Sequence, residues 1–336
     1  MTLELQATQD NDFLTMLAAA TDSPLENGCL TLAAALGTGY IQALDFGPRL
    51  HLTIYQCELK EAVRLRKTAF TAGKGTIIFS FRHLVPPDVA TSRPLAAAAP
   101  RPRPLPTVRV SSADMNFEFY SPANTTINAL VLAADVALFA ELLPPTEVKG
   151  SVQTLLSGGQ TFLYEEIISP TMQAVAAQLV AADAPAELRR YYLKVKAEEL
   201  IYLFLVELLK RQHAPEYPLS VADAQQLYRV RDQVLKDLSI PPNLPALASF
   251  TGLSESKMKR LFKQVFGTSI YSYYQTVRMQ EAAQLLQEGR FTVSEVGNQL
   301  GFINLSHFTR LFERHVGLRP KQYSRKIGVR ISGKAG

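Results

Sequence analysis

Ser256, Lys259, Arg260 and Lys263 recur at i, i+3, i+4 and i+7, a spacing that gathers four side chains on one face of a helix. A hydroxyl, two ammonium groups and a guanidinium donate hydrogen bonds and neutralise negative charge, so their shared chemistry is recognition of an anion rather than proton transfer or bond cleavage. Lys257 adds a further cation. The opposite face carries Met258, Leu261, Phe262 and Val265 at the same spacing, an apolar stripe that belongs in a core. Fifty positions on, the design returns. RLFKQVFG at 260–267 is rewritten as RLFERHVG at 310–317, and at the same offset Tyr273 falls on Tyr323. Ser306, His307, Arg310 and Arg314 point outward in the second copy while Leu305, Phe308, Leu311 and Phe312 pack inward. A common offset over this many anchors implies a duplicated structural unit.

Each outer face needs an element to hold it. In the first copy a short helix over 244–250 ends at Thr251-Gly252-Leu253, and Ser254 caps the next helix. In the second, Val293, Val296 and Leu300 form the apolar side of a short helix and Gly301-Phe302 turns the chain. This turn is one residue longer than the first. Two short helices joined by a Gly-containing turn, the second with one buried and one cationic face, satisfy the requirements of a helix-turn-helix. The spacing predicts one helix over 269–287, about 28 Å long at 1.5 Å per residue. Recognition helices on one face of double-stranded DNA sit about one helical turn, roughly 34 Å, apart. The duplication thus suits two successive major grooves, where Arg or Lys pairs with guanine O6 and N7.

Charge follows the same division. Residues 219–336 hold 17 Lys and Arg against 8 Asp and Glu, whereas residues 1–218 hold 18 against 22. A basic C-terminal part on an acidic body implies a polyanionic partner at one end. Two cysteines, Cys29 and Cys57, are too few for a disulfide framework and suit a reducing compartment, and their strand contexts read as inert core thiols. The N-terminus has no basic segment ahead of an apolar core, and the apolar run 200–206 is broken by Glu207, short of the roughly 20 residues of a membrane span. A cytoplasmic protein without a membrane partner is the expectation.

Gly301-Phe-Ile-Asn-Leu-Ser-His-Phe-Thr-Arg-Leu-Phe-Glu-Arg-His-Val-Gly317, followed by Pro320 and Tyr323, resembles the signature of the AraC/XylS family of bacterial transcription regulators. Leu247-Ala248, Gly252-Leu253-Ser254, Arg260-Leu-Phe-Lys263 and Gly267 resemble the family's first helix-turn-helix. The resemblance covers about 220–327. Carried over by position, it implies base contacts from Ser256, Lys259 and Arg260 and from Leu305, Ser306, His307 and Arg310, with Lys257, Lys263 and Arg314 completing the DNA-binding set. It further implies promoter DNA and RNA polymerase as partners and a small-molecule effector. Two positions depart from the family pattern. Gly297 stands where Ala is usual, loosening a helix by ~1 kcal/mol, and Leu305 is apolar where polar residues are common, which leaves it only apolar contacts such as a thymine methyl.

The N-terminal half alternates apolar and polar residues at 50–55, 75–82, 107–110, 116–120 and 128–132, the texture of a β-sandwich or barrel. Helical composition follows at about 133–142, 147–155, 169–182 and 186–212. The expected fold class is multidomain α+β: an N-terminal β-rich cupin-like barrel with helices and a C-terminal all-α domain with two helix-turn-helix units. The division is 1–165 as a β-rich effector-sensing domain with a mobile Pro/Ala-rich loop at 91–107, 166–218 as a helical linker, 219–327 as the double helix-turn-helix and 328–336 as a tail. Leu188, Tyr192, Val195, Tyr202, Val206 and Leu209 follow a 4-3 spacing that fits either a homodimer seam or packing against the chain's own β-rich part. The stretch 192–209 also looks like the helix preceding the DNA-binding domain in the branch of the family that senses iron-siderophore complexes.

Inward-pointing residues of a barrel line its cavity, which makes Arg49, His51 and Tyr55, or Phe79 and Phe81, the effector-binding candidates. His51 and His83 each stand alone, without a second His two residues away, so no metal centre, cofactor or catalytic residue is assigned. No G-x-S-x-G elbow, P-loop or dinucleotide fingerprint occurs. The alternative to a regulator is a cupin-like enzyme domain tethered to DNA.

Overall fold

The computed structural model describes residues 2–5, 10–67, 75–84, 105–113, 115, 118–139, 143, 148–157, 161–211 and 217–325. Residues 91–104 of the expected loop, the 328–336 tail and 212–216 lie outside them. The chain divides into two compact units, one formed by Met1–Ser92 with Pro106–Val221 and the other containing Ala222–Gly336.

The first unit holds strands β1 (Thr2–Leu5), β2 (Leu25–Glu26), β3 (Cys29–Thr31), β4 (Gly37–Asp45), β5 (Leu50–Leu59), β6 (Val63–Lys67), β7 (Thr76–Arg82), β8 (Thr107–Ser112), β9 (Glu118–Ser121), β10 (Thr125–Asp135) and β11 (Leu163–Ile167). Eight of them form an antiparallel sheet in the order β11-β8-β7-β10-β5-β4-β3-β2, while β1, β6 and β9 form a small second sheet. Alternation along β5 sends Leu50, Leu52 and Ile54 to one face and His51, Thr53 and Tyr55 to the other. Register carries the apolar face across four strands. Leu52, Leu132, Phe79 and Val110 lie in one row and Ile54, Leu130, Phe81 and Val108 in the next.

Helices α1 (Asp10–Thr21), α2 (Gly150–Leu156), α3 (Pro170–Ala181) and α4 (Arg189–Leu209) complete this unit. Met172, Val175 and Leu179 of α3 and Leu193, Leu200, Phe204 and Leu208 of α4 join the core of the apolar face. Phe204 meets Phe79 edge-on at 5.7 Å. Each such buried side chain contributes on the order of 2 kcal/mol relative to exposure. On the other face Leu14 and Leu17 of α1 pack with Leu30, Ile41, Cys57 and Leu59.

One expectation is corrected here. Residues 133–139 do not begin a helix: 133–135 end β10, and a 3-10 turn over Val136–Leu138 follows, capped by Asp135, while 140–142 lie outside the described residues. Ala-rich composition favours a helix locally, but β10 is paired on both edges and Ala134 continues the buried row of Leu130 and Leu132, so sheet pairing wins. The two alternative sets of effector candidates lie on opposite faces of the sheet. Phe79 and Phe81 are fully buried on the helix-covered face, whereas His51 and Tyr55 lie on the opposite face.

The second unit contains α5 (Val221–Leu235), α6 (Leu244–Thr251), α7 (Glu255–Phe266), α8 (Ile270–Gln287), α9 (Val293–Gln299) and α10 (Leu305–Val316). Side-chain oxygens cap five of them: Asn243, Ser254, Ser269, Thr292 and Asn304 each accept a hydrogen bond from a first-turn backbone N–H. The duplication read from the sequence is repeated in space. Phe262 and Tyr273 meet edge-on with centroids 5.6 Å apart, and their counterparts Phe312 and Tyr323 do the same at 5.6 Å.

Candidate nucleic-acid interface

α6 and α7 are joined by the turn at Gly252-Leu253-Ser254, and α9 and α10 by Leu300-Gly301-Phe302-Ile303-Asn304. On α7, Met258, Leu261, Phe262 and Val265 are buried, and this fixes the rotation of the helix so that Ser256, Lys259, Arg260 and Lys263 are exposed. Phe308 and Phe312 do the same for α10, leaving Ser306, His307, Arg310 and Arg314 exposed. The two outer faces are those expected from the periodicity. Asn304 Oδ1 accepts from the N–H groups of Ser306 at 2.9 Å and His307 at 3.1 Å, so the start of α10 is ordered before any partner arrives.

Three residues of the candidate set differ from the rest. Lys257 is turned to α5, where its Nζ lies 2.7 Å from Asp223, bracing α7 from behind. Lys259 pairs with Glu255 one turn earlier, so its ammonium must exchange a carboxylate for a new partner on binding. Leu305 is half-buried: a Cβ added at Gly297 would lie 2.6 Å from its Cδ2. The Glu255-to-Lys259 pair was readable from its i, i+4 spacing. The Asp223 contact spans 34 residues and leaves no local signal.

The mount of the second helix pair also escaped the sequence reading. Arg278 of α8 donates its Nε to the Leu300 carbonyl at 2.9 Å and lays its guanidinium 3.6 Å from the Phe302 ring centre. Tyr274 flanks it at 5.3 Å. Burial lowers the Arg278 pKa from its ordinary value, with Tyr274 and Tyr271 opposing, and the guanidinium remains charged at every working pH. The Tyr274 hydroxyl donates to the Leu238 carbonyl at 2.8 Å, and the Ser239 carbonyl sits where a Cβ on residue 301 would be, 2.3 Å away. Gly301, at φ +75°, is therefore required twice over.

In the first unit, Arg49 is exposed beside the Ala137 carbonyl, His51 Nδ1 is 3.5 Å from Asp45 Oδ1, and Tyr55 packs against the cluster of Ile41 and Cys57. Burial pushes the Cys57 thiol up to about 11 and also raises that of Cys29, so neither is poised as a thiolate near neutral pH. Among the described residues no cluster of three His, Cys, Asp or Glu is placed to hold a metal, and no helix is long and apolar enough to cross a membrane.

A β-rich unit followed by a basic, duplicated set of capped helix pairs is an arrangement of the helix-turn-helix class. A helix-turn-helix domain model matches residues 247–326, and the model of the regulatory protein PchR N-terminal domain matches residues 37–219. The chain belongs to the AraC/XylS family of transcription regulators and, within it, to the group that carries the PchR N-terminal domain. It is 33% identical to the regulatory protein PchR of Pseudomonas aeruginosa over 116 residues, 34% of this chain and 39% of that protein. It is 34% identical over 95 residues to the transcriptional activator AggR of Escherichia coli, covering 28% of this chain and 36% of that protein. The chain thus spans less than half the length of these curated relatives. Among solved structures, the DNA-binding domain of the global transcriptional factor AdpA in complex with target DNA shares 25% identity, with 31% of this chain and 95% of that chain covered and a TM-score of 0.30.

Proposed function

We propose that the chain is an effector-responsive transcription regulator that inserts α7 and α10 into two successive major grooves. The observation that carries this reading is the duplicated pair of capped helices, each with a buried aromatic anchor and an exposed face of cations and hydroxyls. Lys263 and Arg314 neutralise phosphates, which supplies affinity that falls steeply with salt. Ser256, Lys259, Arg260, Ser306, His307 and Arg310 face base edges and supply specificity. RNA polymerase is the downstream partner at the promoter, and the cytoplasm is the compartment.

The eight-stranded sheet under α3 and α4 is the sensor, a cupin-like half-shell that receives a small molecule. Arg49, His51 and Tyr55 are its candidate contacts on one face. The resemblance of 192–209 to the siderophore-sensing branch makes an iron-siderophore complex the first effector to test. Of the expected stripe, Leu188, Val195, Tyr202 and Leu209 remain exposed along α4, with Tyr191 beside them, whereas Tyr192 packs on the core with the helix's other face; the exposed residues support a homodimer seam along the helix.

The deciding experiment is selection of bound fragments from sheared genomic DNA of the source organism by the purified full-length protein. Enrichment of a motif with two half-boxes about one helical turn apart supports the double reader. Enrichment only after an effector is added places the sensor in control of binding. No enrichment under either condition removes the regulator reading.

A further inference from the structure

Ile303 stands immediately before the N-cap of α10 and is 103% exposed, the most open large apolar side chain among the described residues. It is also the residue that makes the second turn one longer than the first: Gly252-Leu253-Ser254 corresponds to Gly301-Phe302-(Ile303)-Asn304, with Ser254 and Asn304 as the two N-caps. A single exposed isoleucine is common on protein surfaces. This one lies where a recognition helix meets the base edges, because the N-terminal residues of such a helix enter the major groove. The neighbouring side chains are already occupied. Asn304 caps the helix, and Phe302 is buried under Arg278. Leu305, the apolar residue that the sequence set against the bases, is folded down so that its Cδ2 fills the hollow left by Gly297. The two departures from the family pattern, a missing methyl at 297 and a leucine at 305, therefore compensate each other.

We propose that Ile303 makes the apolar base contact of the second reader, on a thymine C5 methyl, and that Leu305 seated on Gly297 is a positioning residue. The inference rests on the reading of α10 as a groove-entering helix. The thymine methyl is the one apolar group that major-groove base edges offer, and a side chain without donors or acceptors discriminates through it alone.

The test is two selections by the full-length protein from a randomised duplex library, one made with dTTP and one with dUTP, which lacks only that methyl. The wild-type protein should prefer thymine about fourfold at one position of one half-box, the contribution of a single buried methyl-sized group, and lose that preference in the uracil library. Ile303→Ala should show no preference there in either library, whereas Leu305→Ala should keep it. Absence of any methyl-dependent position, its survival in Ile303→Ala, or its selective loss in Leu305→Ala overturns the proposal. Arg310→Ala separates the two levels of failure. If it relaxes no base preference in either half-box, α10 does not read DNA; if it relaxes a base pair of one half-box while Ile303→Ala changes nothing, only the isoleucine contact is wrong.

Discussion

Gly252 and Gly301 occupy matching turns with nearly equal φ of +70° and +75°, yet their surroundings differ. A Cβ at 252 would meet nothing within 4 Å, while at 301 it would strike the Ser239 carbonyl. Gly252→Ala should therefore cost only the left-handed backbone term, roughly 1–2 kcal/mol. Gly301→Ala adds an overlap with the Ser239 carbonyl, in a segment where Asp237 accepts from the Ser239 N–H and hydroxyl and Tyr274 donates to the Leu238 carbonyl, and should be the more damaging by a further ~1–3 kcal/mol. Urea unfolding of the full chain followed by circular dichroism ranks the two; equal losses would deny the Ser239 approach. Gly297 is a third case. Alanine at an open helix position gains ~1 kcal/mol over glycine, but here the new methyl must displace the tip of Leu305. In the Leu305→Ala background the gain should appear in full, and in the wild-type background it should be reduced or reversed. Additive effects in that double-mutant cycle would place Leu305 elsewhere.

Under the proposed reading, the exposed residues of α7 and α10 divide by what they would face. Arg310→Ala should cost ~1–3 kcal/mol on cognate DNA and relax preference at one base pair, whereas Lys263→Ala should weaken all duplexes alike and lower the salt slope by about one unit. Equal behaviour of the two variants on cognate and random DNA would take Arg310 out of base readout. The start of α9 carries a pH dependence of its own. Thr292 and Glu295 form a reciprocal capping box, in which hydrogen bonds from the Thr292 backbone and hydroxyl hold the Glu295 carboxyl below its ordinary pKa. A depressed acid stabilises the fold above its unfolded pKa, and that contribution disappears as pH falls through the folded value. Acid titration should thus loosen α9 at the low end of the carboxylate range, and Glu295→Gln, which keeps the box without a titrating group, should flatten that part of the curve. These elements were legible because a 3.6-residue period, a capping residue and a glycine turn are all local. The end of β10 and the whole of β4 were not. β4 owes its state to pairing with β5 along Gly37–Asp45, and Ala133–Ala134 to strands on either side, contacts that a single sequence does not display. The site shows the same limit. Its outward faces followed from spacing, but Lys257 was drawn to Asp223, 34 residues away, and Leu305 to Gly297 across the turn that joins α9 to α10.

At the scale of the whole molecule, α4 is the element whose two faces serve different ends. Leu193, Ala197, Leu200, Phe204 and Leu208 are sealed into the sheet core, so the helix cannot roll to bury its other side within the same unit. Tyr202 at 63% and Leu209 at 59% exposure, with Val195 one heptad earlier, leave a stripe at the spacing of a two-stranded seam. The ion pairs beside it, Lys194 with Glu198 and Lys196 with Glu199, are made within the helix and remain available when a second copy docks. If the two proposed readers of one chain span adjacent grooves, a dimer would double the number of half-boxes and make affinity depend on the spacing of two complete sites. Tyr202→Glu places a charge on the stripe without touching the core. It should leave the circular dichroism spectrum and thermal midpoint close to wild type, abolish self-association in sedimentation velocity, and reduce binding to duplexes carrying two sites far more than to duplexes carrying one. A wild-type protein that sediments as a monomer at micromolar concentration, with and without DNA, would assign the stripe to solvent and leave the α4 core face as the helix's whole function.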